Sequence, residues 1–414
     1  MDSAATQQPS LRLYLVAQTT YFAAGGLSGV LIPWLLAHEL HASEAVVGAA
    51  QALSALPTML FVLFGGAAAD GRNLRQYVAQ LQLTVALAPI ALGMAIALHA
   101  LSLPLVIVYG VLLATVSAFI MPARDALLFY VAPSDLGLTR TVAFATSATF
   151  GGQLAGILLA GTASVTGAVA LLAAQAALLS IAAMSTVRVR LAREQPTTTT
   201  GRLRVRASLE QVKQGIGAAW SDVRLRTVIL LIVLGSPVFN GLFLVGFPLL
   251  NRAYYGNGSA TLAGMPLAFM VGVTTSSLIL AQLKPVLRQG RVFMFAYANS
   301  FAVMCVLHFQ LPYAAIIGVI FWWGLAAGVG ATISRSIVQA AAPDAYRARV
   351  LSIFQFGQVW GGPLGALVIG VCAQAFGVLN ALLVPAVLTG ALWLGFRVLT
   401  PLWSFERQDV LAPS

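Results

Sequence analysis

Gly65-Gly66-Ala67-Ala68-Ala69-Asp70-Gly71-Arg72-Asn73-Leu74-Arg75 is a short charged break between two long uncharged stretches, residues 46–69 and 76–98. At 1.5 Å per helical residue, roughly 20 such residues match the ~30 Å hydrocarbon core of a bilayer. Working outward, the same alternation of apolar stretch and short break gives 13–37, 46–69, 76–98, 102–130, 137–160 and 166–187 in the first half of the chain. The second half gives 226–250, 261–283, 291–308, 312–341, 347–374 and 377–400. In lipid only helices or closed barrels satisfy every backbone group, and barrel strands alternate apolar and polar residues over about ten positions. These Leu, Ala, Val and Ile runs do not alternate. The expected fold class is therefore an all-α membrane protein with twelve transmembrane helices in two six-helix halves.

Composition excludes a soluble fold. Of 414 residues, 59% are hydrophobic and 8% charged, against about 25% charged in a soluble domain. Mean hydropathy is +0.89. The first apolar stretch is long enough to span and is not followed by a small-residue cleavage site, so it reads as a retained helix rather than a signal peptide. Cys305 and Cys372 both fall inside apolar stretches and suggest no disulfide framework.

The net charge of +11 could point to nucleic acid, but its distribution points to membrane orientation. With both termini inside, every Lys and Arg except Arg252 falls on the inner side. The expected domains are 1–187, a cytoplasmic linker over 188–225 that carries Arg202, Arg204 and Arg206, and 226–414. Within the linker, Leu209–Trp220 reads as a surface helix.

An internal repeat supports two halves. At an offset of 210, Pro133 meets Pro343, Gly151 and Gly152 meet Gly361 and Gly362, Leu154 meets Leu364, and Gly167 meets Gly377. Arg124 falls one residue out of register with Arg335, and Asp135 one out with Asp344. Parallel repeats of this kind place a substrate path between halves that rock against each other.

The opening stretch resembles the signature of the major facilitator superfamily between its second and third helices: a Gly, an Asp four residues on, then a basic cluster. Gly66, Asp70 and Arg75 fit, whereas Gly71, Asn73 and Leu74 depart from the usual Arg, Gly and Arg. Asn at position 73 can still adopt the left-handed turn that Gly would supply. Pro122-Ala123-Arg124-Asp125-Ala126-Leu127-Leu128 and its counterpart Arg335-Ser336-Ile337-Val338-Gln339, with Arg347-Ala348-Arg349 beyond, resemble the branch that includes the enterobactin exporter and macrolide efflux proteins. The resemblance implies a cytoplasmic gate of Asp70, Arg72, Arg75, Arg124, Asp125 and Arg335. Asp70 and Asp125 are expected to pair with Arg72, Arg75 or Arg124. Against this stands the plainer reading that inward loops simply collect arginines. The Gly-Pro motif of drug antiporters is absent at Gln153, and a Pro appears only in the eleventh stretch, at Pro363.

No charged residue or His lies near the middle of any stretch. The candidate cavity is therefore polar and uncharged, with Gln18, Tyr21, Gln51, Gln153, Asn240, Gln355 and Gln358 as lining. Some of these amides are expected only to bond neighbouring helices. His38 and His41 lack the spacing that places two imidazoles on one helix face, so no metal is expected, and neither a cofactor nor an enzyme constellation is read. The leading expectation is a secondary active transporter of the bacterial inner membrane. It would export a neutral or acidic, siderophore- or antibiotic-like molecule by alternating access, with protons as coupling ion. The alternatives are uptake of a neutral nutrient or a non-translocating sensor. The expected partners are the substrate and the lipid bilayer, with no nucleic acid and a monomer as the favoured state.

Overall fold

A computed structural model describes residues 2–41, 44–133, 136–193, 195, 205–255, 259–283 and 286–406. The chain forms two compact units. The first comprises Met1–Gly137, Ala148–Ile216 and Pro343–Ser352, and the second Leu138–Ser147, Gly217–Ala342 and Ile353–Ser414.

In the first unit, α1 (Asp2–Trp34), α2 (Glu44–Ala69), α3 (Leu74–Ala97), α4 (Leu103–Val131), most of α5 (Leu138–Ala160) and α6 (Ala168–Arg188) are followed by the linker helix α7 (Val205–Ser221). The second unit holds α8 (Val223–Gly241), α9 (Ser259–Gln282), α10 (Gln289–Val306), α11 (Tyr313–Ala341), most of α12 (Arg347–Val359), α13 (Gly361–Phe376) and α14 (Leu383–Leu399). The surface helix expected over Leu209–Trp220 is thus present and longer.

Helices occur at all twelve expected stretches, but among the described residues only ten are long and apolar enough to cross a membrane. At the second stretch the described apolar part is Leu56–Ala69. At the ninth, α10 has only 18 residues and carries Arg291, Asn299 and Ser300. The molecule is an all-helical, multi-pass membrane protein.

Both units pair their helices in the same way. α2 packs on α4 and α3 on α6 in the first, as α9 packs on α11 and α10 on α14 in the second. The glycines explain the closest contacts. A Cβ on Gly152 or Gly156 would overlap the α1 backbone at Thr19 and Ala23, and one on Gly361 or Gly365 would overlap α8 at Pro237. Small residues four apart let helix backbones touch without a hydrophobic drive between helices in lipid. Gly167 and Gly377 are an offset-210 pair, and both adopt left-handed φ, +78° and +81°. The sequence repeat is therefore also a repeat of backbone conformation.

Each unit has its own apolar core. Leu27, Leu31, Leu35, Leu92, Val106 and Leu172 pack in the first. Trp323 is the fully buried centre of the second, stacked on Phe239, tilted against Phe243 and edge-on to Phe269. Its indole N–H donates to Ser300 Oγ at 3.0 Å. Trp322, one residue earlier, points outward and is 60% exposed.

Candidate functional site

The signature turn is built around Asp70. α2 ends at Ala69, and Gly71 reverses the chain at φ +73°. Asn73 is therefore not the left-handed residue. It is extended, at φ −66° and ψ 98°, and caps α3 by accepting from Gln76 N–H at 3.3 Å. The Gly that replaces the usual Arg after the Asp has taken over the turn, which frees Asn73 to satisfy an open helix N-terminus.

The ion pair of Asp70 is with Arg349 rather than with the nearer Arg72, Arg75 or Arg124. Arg349 Nε lies 2.5 Å from Asp70 Oδ2, and the two side chains are 12% and 9% exposed. Ala348 N–H donates to Asp70 Oδ1 at 3.2 Å. The carboxylate thus faces the first turn of α12, where unpaired N–H groups and the helix dipole favour an anion. Gly66 lets this segment approach, because a Cβ there would overlap the Ser352 side chain and the Ala348 carbonyl. Burial pushes the Asp70 carboxyl up to about 7, against the Arg349 charge and the Ala348 N–H, which pull it down.

The loop arginines are engaged elsewhere. Arg72 lies over the Tyr77 ring, 5.0 Å from its centroid, and Arg75 Nη1 donates to Val189 O at 3.2 Å.

Helical geometry alone would separate Arg124 and Asp125 by about 100° around α4. Instead they pair with each other at 3.2 Å, with side chains 5% and 0% exposed. The long Arg stem folds back along the helix, and its guanidinium also lies 4.5 Å from the Phe22 ring centroid and 5.6 Å from that of Tyr21. Arg335 is buried on α11 in the second unit.

Residues outside the expected gate complete the cluster. Arg347 sits over the Phe129 ring at 3.4 Å, pairs with Asp344 at 2.6 Å, and shares that ring with Arg193 at 4.4 Å. Gln195 accepts from Leu74 N–H and donates to the Arg72 carbonyl. From the linker helix, Gln214 accepts from Arg349 Nη1 at 2.9 Å. The Arg347-Ala348-Arg349 motif is the sequence signal for the two arginines of α12. Nothing in sequence spacing connects Gln195 or Gln214 to Asp70.

The expected cavity residues divide. Gln18 donates to Thr149 Oγ1 at 2.7 Å and is buried between α1 and α5. Asn240 donates to the Ser236 and Gln358 carbonyls, tying α8 to α12. Those two amides hold helices together. Gln153 is half-buried, Gln355 buried and Gln358 exposed, while the side chain of Gln51 lies outside the described residues. Tyr21 donates to Ser117 Oγ at 2.8 Å.

Ser117 leads to a cleft that no single expected residue marked. It lies within the first unit, between α1, α2 and α4, with a volume of about 240 Å³ and a lining that includes Ser28, Ser54, Thr58, Ser117, Gly29 and Gly110. Ser28, Ser54 and Thr58 spend their protons on backbone carbonyls. Their remaining oxygen lone pairs can accept from a solute. None of the lining residues is charged.

A membrane chain with two repeated helical units, a charged turn between α2 and α3 and an uncharged cleft has the form of a secondary transporter of small molecules. The sequence pattern of the Major Facilitator Superfamily matches residues 14–366, and the chain belongs to that superfamily, a family of transporters rather than enzymes. No curated protein matches it, so the enterobactin exporter and macrolide efflux branch rests on the quoted motifs alone. Solved structures share the fold at low identity. The human organic anion transporter MFSD10 is 14% identical with a TM-score of 0.71, covering 94% of this chain and 99% of its own. The Escherichia coli fucose:proton symporter is 12% identical with a TM-score of 0.72, covering 94% and 97%. A bacterial homologue of the iron transporter ferroportin is 12% identical with a TM-score of 0.72, covering 94% and 99%.

Proposed function

We propose that this chain takes up a small, uncharged, hydroxyl-bearing solute across the bacterial inner membrane by alternating access, with protons as the coupling ion. The observation that carries this reading is the cleft of about 240 Å³ in which four hydroxyls stand among glycines and the apolar Ile32, Leu113 and Ala114, with no charge. It offers acceptors to a donor-rich solute and no counter-ion to a charged one, whose desolvation would go uncompensated. It also falls below the about 300–1,000 Å³ of pockets for drug-sized ligands, which favours a small nutrient over a siderophore. The sugar–proton symporters among the structural relatives are in keeping with this reading. Export of a siderophore- or antibiotic-like molecule has only the motif resemblance behind it.

In this reading twelve spanning helices form two six-helix halves, 1–187 and 226–414, joined by the 188–225 linker. Asp70, Arg349, Arg124 and Asp125 belong to the cytoplasmic gate, together with Arg72, Arg75 and Arg335. The transport test uses right-side-out vesicles with an inward proton gradient and a panel of labelled neutral sugars and polyols. Concentrative uptake that collapses with an uncoupler is expected. The double variant S117A/T58V should raise KM by roughly tenfold with kcat little changed, the result of losing two hydrogen bonds worth about 0.5–1.5 kcal/mol each. Concentration of a larger acidic metabolite by inverted vesicles, with no sugar uptake in right-side-out ones, would return the chain to the exporters. Binding without movement in either vesicle would make it a sensor.

Orientation is tested separately. With both termini cytoplasmic, a single cysteine at Thr198 should resist an impermeant thiol reagent in intact cells, and one at Gly258 should react. Both positions lie outside the described residues. Labelling at Thr198 from outside would invert the topology.

A further inference from the structure

A second cleft within the first unit lies away from the proposed gate, between α3 and α6. It has a volume of about 560 Å³ and is lined by Gln76, Ala79, Gln80, Leu83, Ala183, Met184, Val187 and Arg188. Its floor is narrow because both helices present alanine there, with Ala79 and Ala183 each 4% exposed. The helices are held at that spacing from behind, where Thr186 donates to Gln82 Oε1 at 3.0 Å in a buried bond. The groove is therefore a feature of a braced helix pair.

Its chemistry is graded along its length. Arg188 ends one membrane-spanning stretch and Gln76 lies in the first turn of another, so the polar end sits at the membrane boundary. Both side chains are exposed, and none of the eight lining residues is acidic. Two turns further in, the walls become Leu83 and Met184, 57% and 52% exposed. The apolar strip continues along α3 through Leu87, Ile90 and Met94, which are also exposed and spaced three and four apart so that they share a helix face. A cation with two amides at the boundary, above a strip of apolar side chains running across the span, is complementary to one molecule: a phospholipid with an anionic headgroup.

We propose that the α3–α6 groove is a binding site for an anionic glycerophospholipid. Arg188 pairs with the phosphate, Gln76 and Gln80 donate to headgroup oxygens, and one acyl chain lies along Leu83, Leu87, Ile90 and Met94. Basic pockets at the ends of spanning helices hold anionic headgroups in this way, and charge-assisted bonds from Arg to phosphate are the strong ones. Arg75, next to Gln76 in the chain, already bonds the carbonyl of Val189, the residue after Arg188. An occupied groove thus sits directly behind the loop that carries Asp70.

The test is lipid retention by the purified full chain, read by native mass spectrometry after reconstitution in mixed phosphatidylglycerol and phosphatidylcholine. One phosphatidylglycerol is expected to survive delipidation, with roughly tenfold preference over phosphatidylcholine, which offers Arg188 the same phosphate but adds a choline cation that the guanidinium repels. R188Q should remove the preference. A183F fills the groove floor and leaves every charge in place, and it should lower retention as well. Equal retention of both lipids by the wild type, or a preference that survives both variants, overturns the proposal. So does loss of preference in R188Q with none in A183F, because the headgroup would then be held by surface charge alone. Full competition by soluble glycerol phosphate would indicate a free-anion site and also overturn it. Thermal shift on the same samples separates misfolding from loss of the site: R188Q and A183F in detergent alone should melt within a few degrees of the wild type, and A183V, a smaller filling, replaces A183F if that variant does not.

Discussion

Replacing Asp125 with Asn is expected to lower transport at least about tenfold while leaving the amount of protein in the membrane unchanged. Arg124 and Asp125 are both almost fully buried and 3.2 Å apart. Removing one partner of a buried pair leaves a charge without its counter-ion, a cost of about 3–5 kcal/mol. The Phe22 and Tyr21 rings beside the guanidinium offset part of this, on the order of 2 kcal/mol for a desolvated cation–π contact. The balance of about 1–3 kcal/mol, centred near 2, is still worth more than a factor of ten at its centre in any equilibrium that depends on this arrangement. Insertion is spared because the pair lies near the end of α4 (Leu103–Val131), where one carboxylate adds little to the partition of the whole helix. Asp125→Glu, which keeps the charge, should recover part of the activity. Initial-rate uptake in vesicles, normalised to protein, decides it, and full activity of Asp125→Asn would remove the pair from the mechanism.

Asp70→Asn is expected to hold segment 347–349 docked and to abolish the pH dependence of that docking. The wild-type carboxyl moves from an ordinary value of 3.8 to about 7 when it is buried against that segment. The docked arrangement therefore binds a proton more tightly than an open one in which Asp70 meets water. Between those two values each unit of acidification favours docking by up to about tenfold, and the preference fades as pH rises through about 7. The amide of the Asp70→Asn variant would keep an acceptor for Ala348 N–H and carry no charge to desolvate, while Arg349 keeps its exposed bond to Gln214, so docking would no longer depend on the protonation of residue 70. Spin labels at Gln76 and Ala345, both in the first unit, should give one narrow distance in Asp70→Asn at pH 6 and pH 8, whereas the wild type broadens at pH 8. Transport by the variant at pH 8 should fall by roughly tenfold, since a carrier held in one state does not cycle. An unchanged pH response in Asp70→Asn would show that another group is the sensor.

The two predictions concern neighbouring charges that differ in how they could be found. Asp70 was legible because its spacing from Gly66 is a motif, and the structure gives that spacing a cause: Gly66 is where Ala348 and Ser352 come into contact with α2. Its partner was not legible. Arg349 lies 279 positions away and was visible only as the end of a second motif. Sequence proximity made Arg72 and Arg75 the natural candidates, yet Arg72 lies over Tyr77 and Arg75 donates to Val189 O.

Several features of this protein follow from sequence alone, because they depend on local or one-dimensional quantities. Apolar length against bilayer thickness placed a helix at each of the twelve stretches, and the 210-residue offset paired Gly167 with Gly377, which the structure shows to share a positive φ. Composition excluded a soluble fold outright. The tertiary structure decided which polar side chains face a cleft and which brace helices, a distinction set by rotation about helix axes that no periodicity resolves in segments apolar all round. Gln18 and Asn240 looked like cavity residues and prove to be interhelical bonds. Ser54, Thr58 and Ser117, unremarkable among the many small hydroxyls of the chain, converge on one cleft because α1, α2 and α4 meet there. Long-range ion pairing was decided in the same way, since a buried charge pairs with whatever cation the packing of distant segments brings within reach.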